Sequence, residues 1–342
     1  MNRKHFLSSA MAFATTTTLP FKEYYRTIEH EKEPAAIIPP YLKKGAVIGI
    51  TSPAGYITVE EIQPAINLLQ SWGFNVRVGD TISKRDFTFG GTDEQRTADL
   101  QQMLNDPEIN AILCARGGYG AVRIVDNLKW EKFQQKPKWI IGFSDITVLH
   151  AHISRNTGIA SIHSKMCSGF PEDLVKAEPI QEATVISIKQ ALTGEQIDYP
   201  VTPVIYNRKG KASGRLVGGN LKTIESLAGS DSDIRTNQKI LFVEDTGEYL
   251  YSIDRMFWNL KRSGKLAQLA GLIIGGFKIK MDESNEDFGK TLYDIVLEKV
   301  KEYDYPVCFD FPVGHQKNNF ALKCGVEHIL EVTDNGCILK DR

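Results

Sequence analysis

From Gly45 onward, short wholly apolar runs alternate with longer segments whose apolar residues recur every three or four positions. Ala46 to Thr51 is one continuous apolar run, the mark of a strand covered on both faces. Thr58 and Glu61 have capping-box spacing, and Ile62, Ile66, Leu69 and Trp72 then follow at helical intervals. Pro64 predicts that the first regular turn starts later than that box. Gly73 ends the helix, and residues 75–78 read as a second strand. The rhythm continues with a helix over 93–104, a strand over 111–114, a glycine-rich turn and a further helix, and a strand over 139–141. Strands alternating with helices imply parallel β-α-β units in an open α/β sheet, with ligands bound beyond the carboxyl ends of its strands.

Residues 170–205 carry Pro171, Pro179, Pro200 and Pro203 and one helix near 183–192, and read as a connection. Beyond it come short strands over 213–217, 239–244 and 272–276, with helices near 221–228 and 253–262. Further short strands are expected around Val307, Ala321, Ile329 and Ile338. This predicts a smaller mixed α/β, partly barrel-like second domain. The boundaries are 1–20 for a leader, 21–40 for a linker, 41–169, 170–205 and 206–342.

The strand over 139–141 runs into Gly142-Phe143-Ser144-Asp145, and an amphipathic segment follows at once. A strand, a sharp turn and a helix put Ser144 on the turn, where a hydroxyl serves either as a helix cap or as a nucleophile. A nucleophilic serine needs a base and an orienting carboxylate. Of seven histidines, His5 and His30 lie outside the folded body, His150 and His152 sit on the helix leaving the turn, and His328 is in a strand pattern. His163 ends an apolar stretch, as a structural or substrate-wall residue. His315 stands in a polar, glycine-bearing loop at a strand end, a placement suited to function. For the carboxylate, Glu244 follows the apolar run 240–243. Asp145 competes, although its side chain fits better as a cap or a loop holder. The backbone N–H of Asp145 and the glycines of Arg116-Gly117-Gly118-Tyr119-Gly120 are candidate oxyanion donors.

Composition narrows these choices. The chain has 342 residues, 42% of them hydrophobic, and a formal charge of -1, which offers no field to recruit nucleic acid. The start differs from the rest: a basic tetrapeptide 2–5, a mildly apolar run 6–14, then four threonines and Pro20. It reads as an export signal, too short and weakly apolar to span a bilayer, with Arg3 and Lys4 resembling a twin-arginine signal. The expected location is periplasmic, or cytoplasmic if that segment is a tail. Five scattered cysteines form no C-x-x-C pair, leave at least one thiol free or intermolecular, and put Cys114 in a buried run. No zinc-protease, Walker or G-x-G-x-x-G motif is present, so neither metal nor cofactor is expected, and the acidic stretch 282–287 reads as a solvated loop.

Taken together and in order, Thr51-Ser52-Pro53-Ala54-Gly55, Ala115-Arg116-Gly117-Gly118-Tyr119-Gly120, Gly142-Phe143-Ser144-Asp145, Gly218-Gly219-Asn220-Leu221, Phe242-Val243-Glu244-Asp245 and Gly314-His315 resemble the serine LD-carboxypeptidases, the group of muramoyltetrapeptide carboxypeptidases and microcin C immunity peptidases. The resemblance covers residues 42–330. It implies a flavodoxin-like N-terminal domain carrying Ser144 as nucleophile and a C-terminal domain carrying Glu244 and His315, with a cleft between them. It also implies oxyanion donors at the backbone of Gly118 and Asp145, no metal, and a homodimer. The implied substrate is a peptidoglycan tetrapeptide that loses its terminal D-alanine. Arg116 is the candidate for the terminal carboxylate, with Gly117, Tyr119 and His163 lining the pocket. Where the family often has His-Gly-Pro, this chain has His163-Ser164-Lys165, so that wall differs. The alternatives are an immunity peptidase cleaving acyl-sulfamoyl adenylates, which needs an aromatic shelf such as Trp258, and a non-catalytic muropeptide-binding protein.

Overall fold

In a computed structural model, which describes residues 33–281 and 287–342, two six-stranded sheets organise the compact unit Ala35–Arg342. The leader and most of the linker lie outside the described residues, as does 282–286 of the acidic stretch.

The first sheet has the order β10-β5-β4-β3-β1-β2. Its strands are β1 (Val47–Thr51), β2 (Asn75–Val78), β3 (Ile109–Cys114), β4 (Trp139–Gly142), β5 (Ser161–His163) and β10 (Leu322–Cys324). The first five run parallel, and their order is the flavodoxin-like one, which reverses between β1 and β3. Strand β10 comes from the far end of the chain and pairs antiparallel with β5, so the C-terminal third completes the first sheet. Alternation assigns the faces. Ile48, Ile50, Leu113 and Ile141 join one core with helix α1 (Val59–Ser71), while Ile112, Cys114 and Ile140 join a second core with helix α2 (Asp93–Asn105).

Helix α1 starts at Val59 with the full Thr58–Glu61 capping box, so the delayed start expected from Pro64 is corrected. A proline here removes one bond, to the carbonyl of Glu60, and Glu60 is exposed enough for water to replace it. The helix expected between the glycine turn and β4 is reduced to two 3-10 turns and the short α3 (Glu131–Gln135). Helix α4 (Thr147–Asn156) follows the Ser144 turn, and α5 (Pro179–Thr193) lies in the connection.

The second sheet has the order β12-β11-β6-β7-β8-β9. Strands β6 (Gly210–Asn220), β7 (Ile240–Glu248), β8 (Gly271–Ile279) and β9 (Val307–Cys308) are parallel, while β11 (Glu327–Thr333) and β12 (Gly336–Asp341) extend the sheet antiparallel. The crossovers are α6 (Leu221–Ser226), α7 (Leu250–Arg262) and α8 (Leu292–Val300). Among the described residues this sheet stays open, so the barrel-like expectation is replaced by an open sheet in a mixed α/β layer. Strand β5 and helix α8 had no clear signal, the first because it is three residues long and only Ile162 is apolar.

Leu241, Val243, Leu272 and Ile274 share the α2 and α4 core, so one hydrophobic cluster joins the helical faces of both sheets. Among the described residues no helix is long and apolar enough to cross a membrane. All five cysteines are free and buried.

Candidate active site

Ser144 leaves β4 with φ +61°, the left-handed region that costs an L-residue about 1–2 kcal/mol. The cause is the junction itself. Gly142 is the last strand residue, and the 3-10 turn Ser144–Ile146 begins two residues later and runs straight into α4. The reversal must be made within one residue, and Ser144 makes it. Behind it, His150 donates from Nε2 to the Gly142 carbonyl at 2.9 Å, and its Nδ1 meets Ser161 Oγ at 2.8 Å. Burial lowers the His150 pKa to about 4, so this ring is a neutral strut.

The loops after β1 and β3 close over the turn. Gly55 N–H donates to the Gly117 carbonyl at 2.8 Å. A Cβ at Gly55 would stand 2.6 Å from that oxygen, so only glycine permits the approach. A Cβ at Gly117 would lie 3.1 Å from Ser144 Cβ and 3.3 Å from its Oγ, so the glycine loop rests directly on the serine. Asp145 Oδ2 accepts from Ala121 N–H at 2.7 Å, tying the end of the same loop to the turn. Burial pushes the Asp145 pKa up to about 6, against the backbone donors of Ala121 and Gly120 and the charge of Arg96. Its side chain is thus a loop holder, one of the two roles open to it in the sequence.

Glu244 lies on β7 with Ile240 and Phe242 on one face, while Asp245 faces the helices. Glu244 is fully buried. Its Oε2 accepts from His315 Nδ1 at 2.6 Å and from the His315 backbone N–H at 3.1 Å. Its Oε1 is buried with no partner among the described residues. The contact requires Gly314, where φ is +99° and a Cβ would fall 2.4 Å from Glu244 Cβ. Asn319 holds the turn by accepting from Gly314 N–H at 2.7 Å. With Nδ1 committed to Glu244, His315 presents Nε2 as its free nitrogen. The Phe143 ring lies 4.9 Å from the His315 ring, which brings the Ser144 turn and the imidazole near one another.

Asp245 works on the other face. It accepts from Asn220 Nδ2 and Lys222 N–H, both at 2.9 Å, so it steadies the first turn of α6 and orients Asn220, which caps that helix through Thr223 N–H. Thr147 Oγ1 of α4 accepts from Asn220 N–H at 3.0 Å, joining the helix behind Ser144 to the end of β6.

Of the other residues singled out, Arg116 is half-exposed and donates to the Tyr56 carbonyl at 3.0 Å. Tyr119 is exposed, 6.1 Å from Phe89. His163 is fully buried, edge-on to Phe143 and Phe242, and neither of its ring nitrogens has a partner among the described residues. Burial, with His150 and His315 nearby, holds its pKa well below the usual range. It supports Phe143 from behind and offers no atom to solvent. Trp258 is partly exposed on α7 and takes Lys299 over its ring. Asn319 was passed over in the sequence, where nothing separates it from its polar neighbours. No cluster of three metal-ligating side chains occurs among the described residues.

Family models match both halves of the chain: the LD-carboxypeptidase N-terminal domain over residues 48–164 and the LD-carboxypeptidase C-terminal domain over 213–330. The chain belongs to the LD-carboxypeptidase family. It is 31% identical over 304 residues to a probable murein peptide carboxypeptidase of Bacillus subtilis, covering 88% of this chain and 94% of that one. Among solved structures it resembles a muramoyltetrapeptide carboxypeptidase from Oxalobacter formigenes, with a TM-score of 0.75, 26% identity and coverage of 86% and 98%. It shares its fold with the microcin C7 self-immunity protein MccF in complex with aspartyl sulfamoyl adenosine, with a TM-score of 0.79, 23% identity and coverage of 90% and 98%.

Proposed function

We propose that this protein is a serine LD-carboxypeptidase that removes the terminal D-alanine from peptidoglycan tetrapeptides, using Ser144, His315 and Glu244. The reading is supported above all by the buried Glu244–His315 pair, whose imidazole lies 4.9 Å from the ring of Phe143, the neighbour of a serine on a left-handed strand-to-helix turn. Ser144 Oγ attacks the carbonyl carbon of the residue before D-alanine while His315 Nε2 takes the hydroxyl proton. Glu244 keeps Nδ1 protonated and stabilises the imidazolium that forms; its unpartnered Oε1 adds to that attraction. The backbone N–H groups of Gly118 and Asp145 receive the oxyanion. The imidazolium protonates the leaving amine, D-alanine departs, and water activated by His315 hydrolyses the ester and frees Ser144. Arg116, half-exposed on the same rim, takes the terminal carboxylate. Gly117 and Tyr119 line the pocket. An export signal at 1–20 would carry the enzyme to its polymer.

Mass spectrometry of purified tetrapeptide muropeptides after incubation tests this. Loss of one alanine is expected, and Ser144→Ala abolishes it while the protein remains folded. Intact muropeptides alongside cleavage of aspartyl sulfamoyl adenosine would replace the substrate with that of an immunity peptidase. Failure of a fluorophosphonate to label Ser144, with muropeptide bound but uncut, would make the protein a binding module.

A further inference from the structure

Arg96 lies on α2, outside every motif in the chain, and its side chain is completely buried. Placing a guanidinium there costs several kcal/mol unless its donors are filled. Three carbonyls from three different loops fill them. Arg96 Nη1 donates to Pro53 at 2.6 Å and to Gly120 at 2.9 Å, and Nε donates to Gly91 at 3.2 Å. Nη2 pairs with Asp93, and Cζ lies over the Phe89 ring, 4.9 Å from its centre. A lysine ammonium could not meet these directions at once, because the acceptors demand a flat fork.

The carbonyls it holds bracket one peptide unit. Pro53 belongs to the loop that ends in Gly55, and Gly55 N–H fixes the Gly117 carbonyl. Gly120 closes the same loop on the far side, where Asp145 takes the next N–H, that of Ala121. A trans peptide is planar, so fixing the Gly117 carbonyl toward Gly55 turns the Gly118 N–H the opposite way. That N–H has no backbone acceptor among the described residues. Its neighbour Gly117 rests against Ser144 Cβ and Oγ.

We infer that Arg96, together with the Asp145 carboxylate, is a positioning residue that aims the Gly118 N–H at the oxyanion formed on Ser144. The inference rests on the serine-nucleophile reading given above. Arg96 touches neither substrate nor Ser144; it acts through the 117–118 peptide. Its loss therefore lowers transition-state stabilisation and leaves ground-state binding alone.

The test is Arg96→Lys, read by the rate at which a fluorophosphonate labels Ser144 and by the split between kcat and KM on tetrapeptide. In labelling, Ser144 Oγ displaces fluoride from phosphorus, its proton passes to His315, and the phosphoryl oxygen occupies the oxyanion position. The expected result is a ~10²-fold slower labelling rate per folded molecule, the cost of one misplaced oxyanion donor. In parallel, kcat falls while KM stays within about twofold. Asp145→Asn, a milder change that keeps an acceptor for Ala121 and withdraws the charge facing Arg96, is expected to slow labelling ~10-fold. It decides the matter if Arg96→Lys does not fold. Labelling of either folded variant at the wild-type rate overturns the inference, as does a rise in KM with kcat unchanged. Wild-type protein that labels at Ser144 but spares tetrapeptide would refute the proposed substrate, and the difference in labelling between wild type and variants would still establish the clamp.

Discussion

On the rim of the first sheet the candidate site rests on backbone: a left-handed serine, three loops locked by carbonyl and N–H contacts, and glycines that let them touch. On the rim of the second sheet it rests on side chains: one buried carboxylate holding one imidazole, with a glycine and an asparagine shaping the turn between them. The difference teaches where each half is vulnerable. The first rim fails when a Cβ or a lost carbonyl contact moves the chain by a fraction of an ångström. The second fails when a single charge or donor is withdrawn, even with the shape preserved.

The sharpest way to break that comparison is Glu244→Gln. The amide keeps the shape, but it cannot hold His315 as the carboxylate does, and kcat for D-alanine release is expected to fall by ~10³-fold or more. A variant within tenfold of wild type would mean that the second rim does not depend on its charge. Next comes Gly314→Ala. The new Cβ would meet Glu244 at 2.4 Å in a backbone at φ +99°. A loss of about 2–4 kcal/mol in denaturant unfolding is expected, with activity lost alongside. Gly117→Ala sharpens the contrast from the other side. Its Cβ presses on Ser144 and on Met166 Cε at 3.2 Å, and only the methionine can yield easily. Stability should change by less than about 1 kcal/mol while kcat falls ~10-fold or more. Equal losses in stability at Gly117 and Gly314 would erase the distinction.

The smallest effect is in pH dependence. Burial pushes the Asp245 pKa up to about 6. A carboxyl that holds its proton more firmly when folded leaves stability intact below its unfolded pKa and erodes it as pH rises through the folded value. Wild type should therefore lose stability between pH 4 and 6 through this group. Asp245→Asn should lose about 1–2 kcal/mol less over that interval. Urea denaturation at the two ends of the window measures it, and an unchanged slope would remove Asp245 as the source.

How much of this was legible follows from range. The strands β1, β3 and β4 announce themselves as unbroken apolar runs, and helices α1 and α2 by apolar residues recurring every three or four positions. Strand β5 does not, since Ser161 and His163 break its apolar run, and its last residue, His163, stayed open between a structural and a substrate-wall role until β10 and Phe242 enclosed it. Helix α8 was missed, and the barrel-like reading of the second half failed because short strands disclose neither their partners nor their direction. Ser144, Glu244 and His315 were nameable from their loop contexts and from the family's order of motifs. Asn319 and Arg96 were not, because each works only through contacts distant in sequence or unmarked by any motif.

Sequence alone therefore accounts for the local elements, the turn and loop placement of Ser144 and His315, and the family, all properties of short windows or of motif order; Glu244, expected at a strand end, lies instead within β7, which runs on to Glu248. Only the tertiary structure settled that Glu244 and Asp245, adjacent in sequence, serve opposite faces of one strand, that the C-terminal end of the chain completes the first sheet, and that a buried arginine on a helix donates to a carbonyl more than twenty residues away. The physical reason is the same in each case. Which face is buried, which edge is free and which carbonyl needs a donor are settled by what packs against them, and those partners arrive from remote parts of the chain.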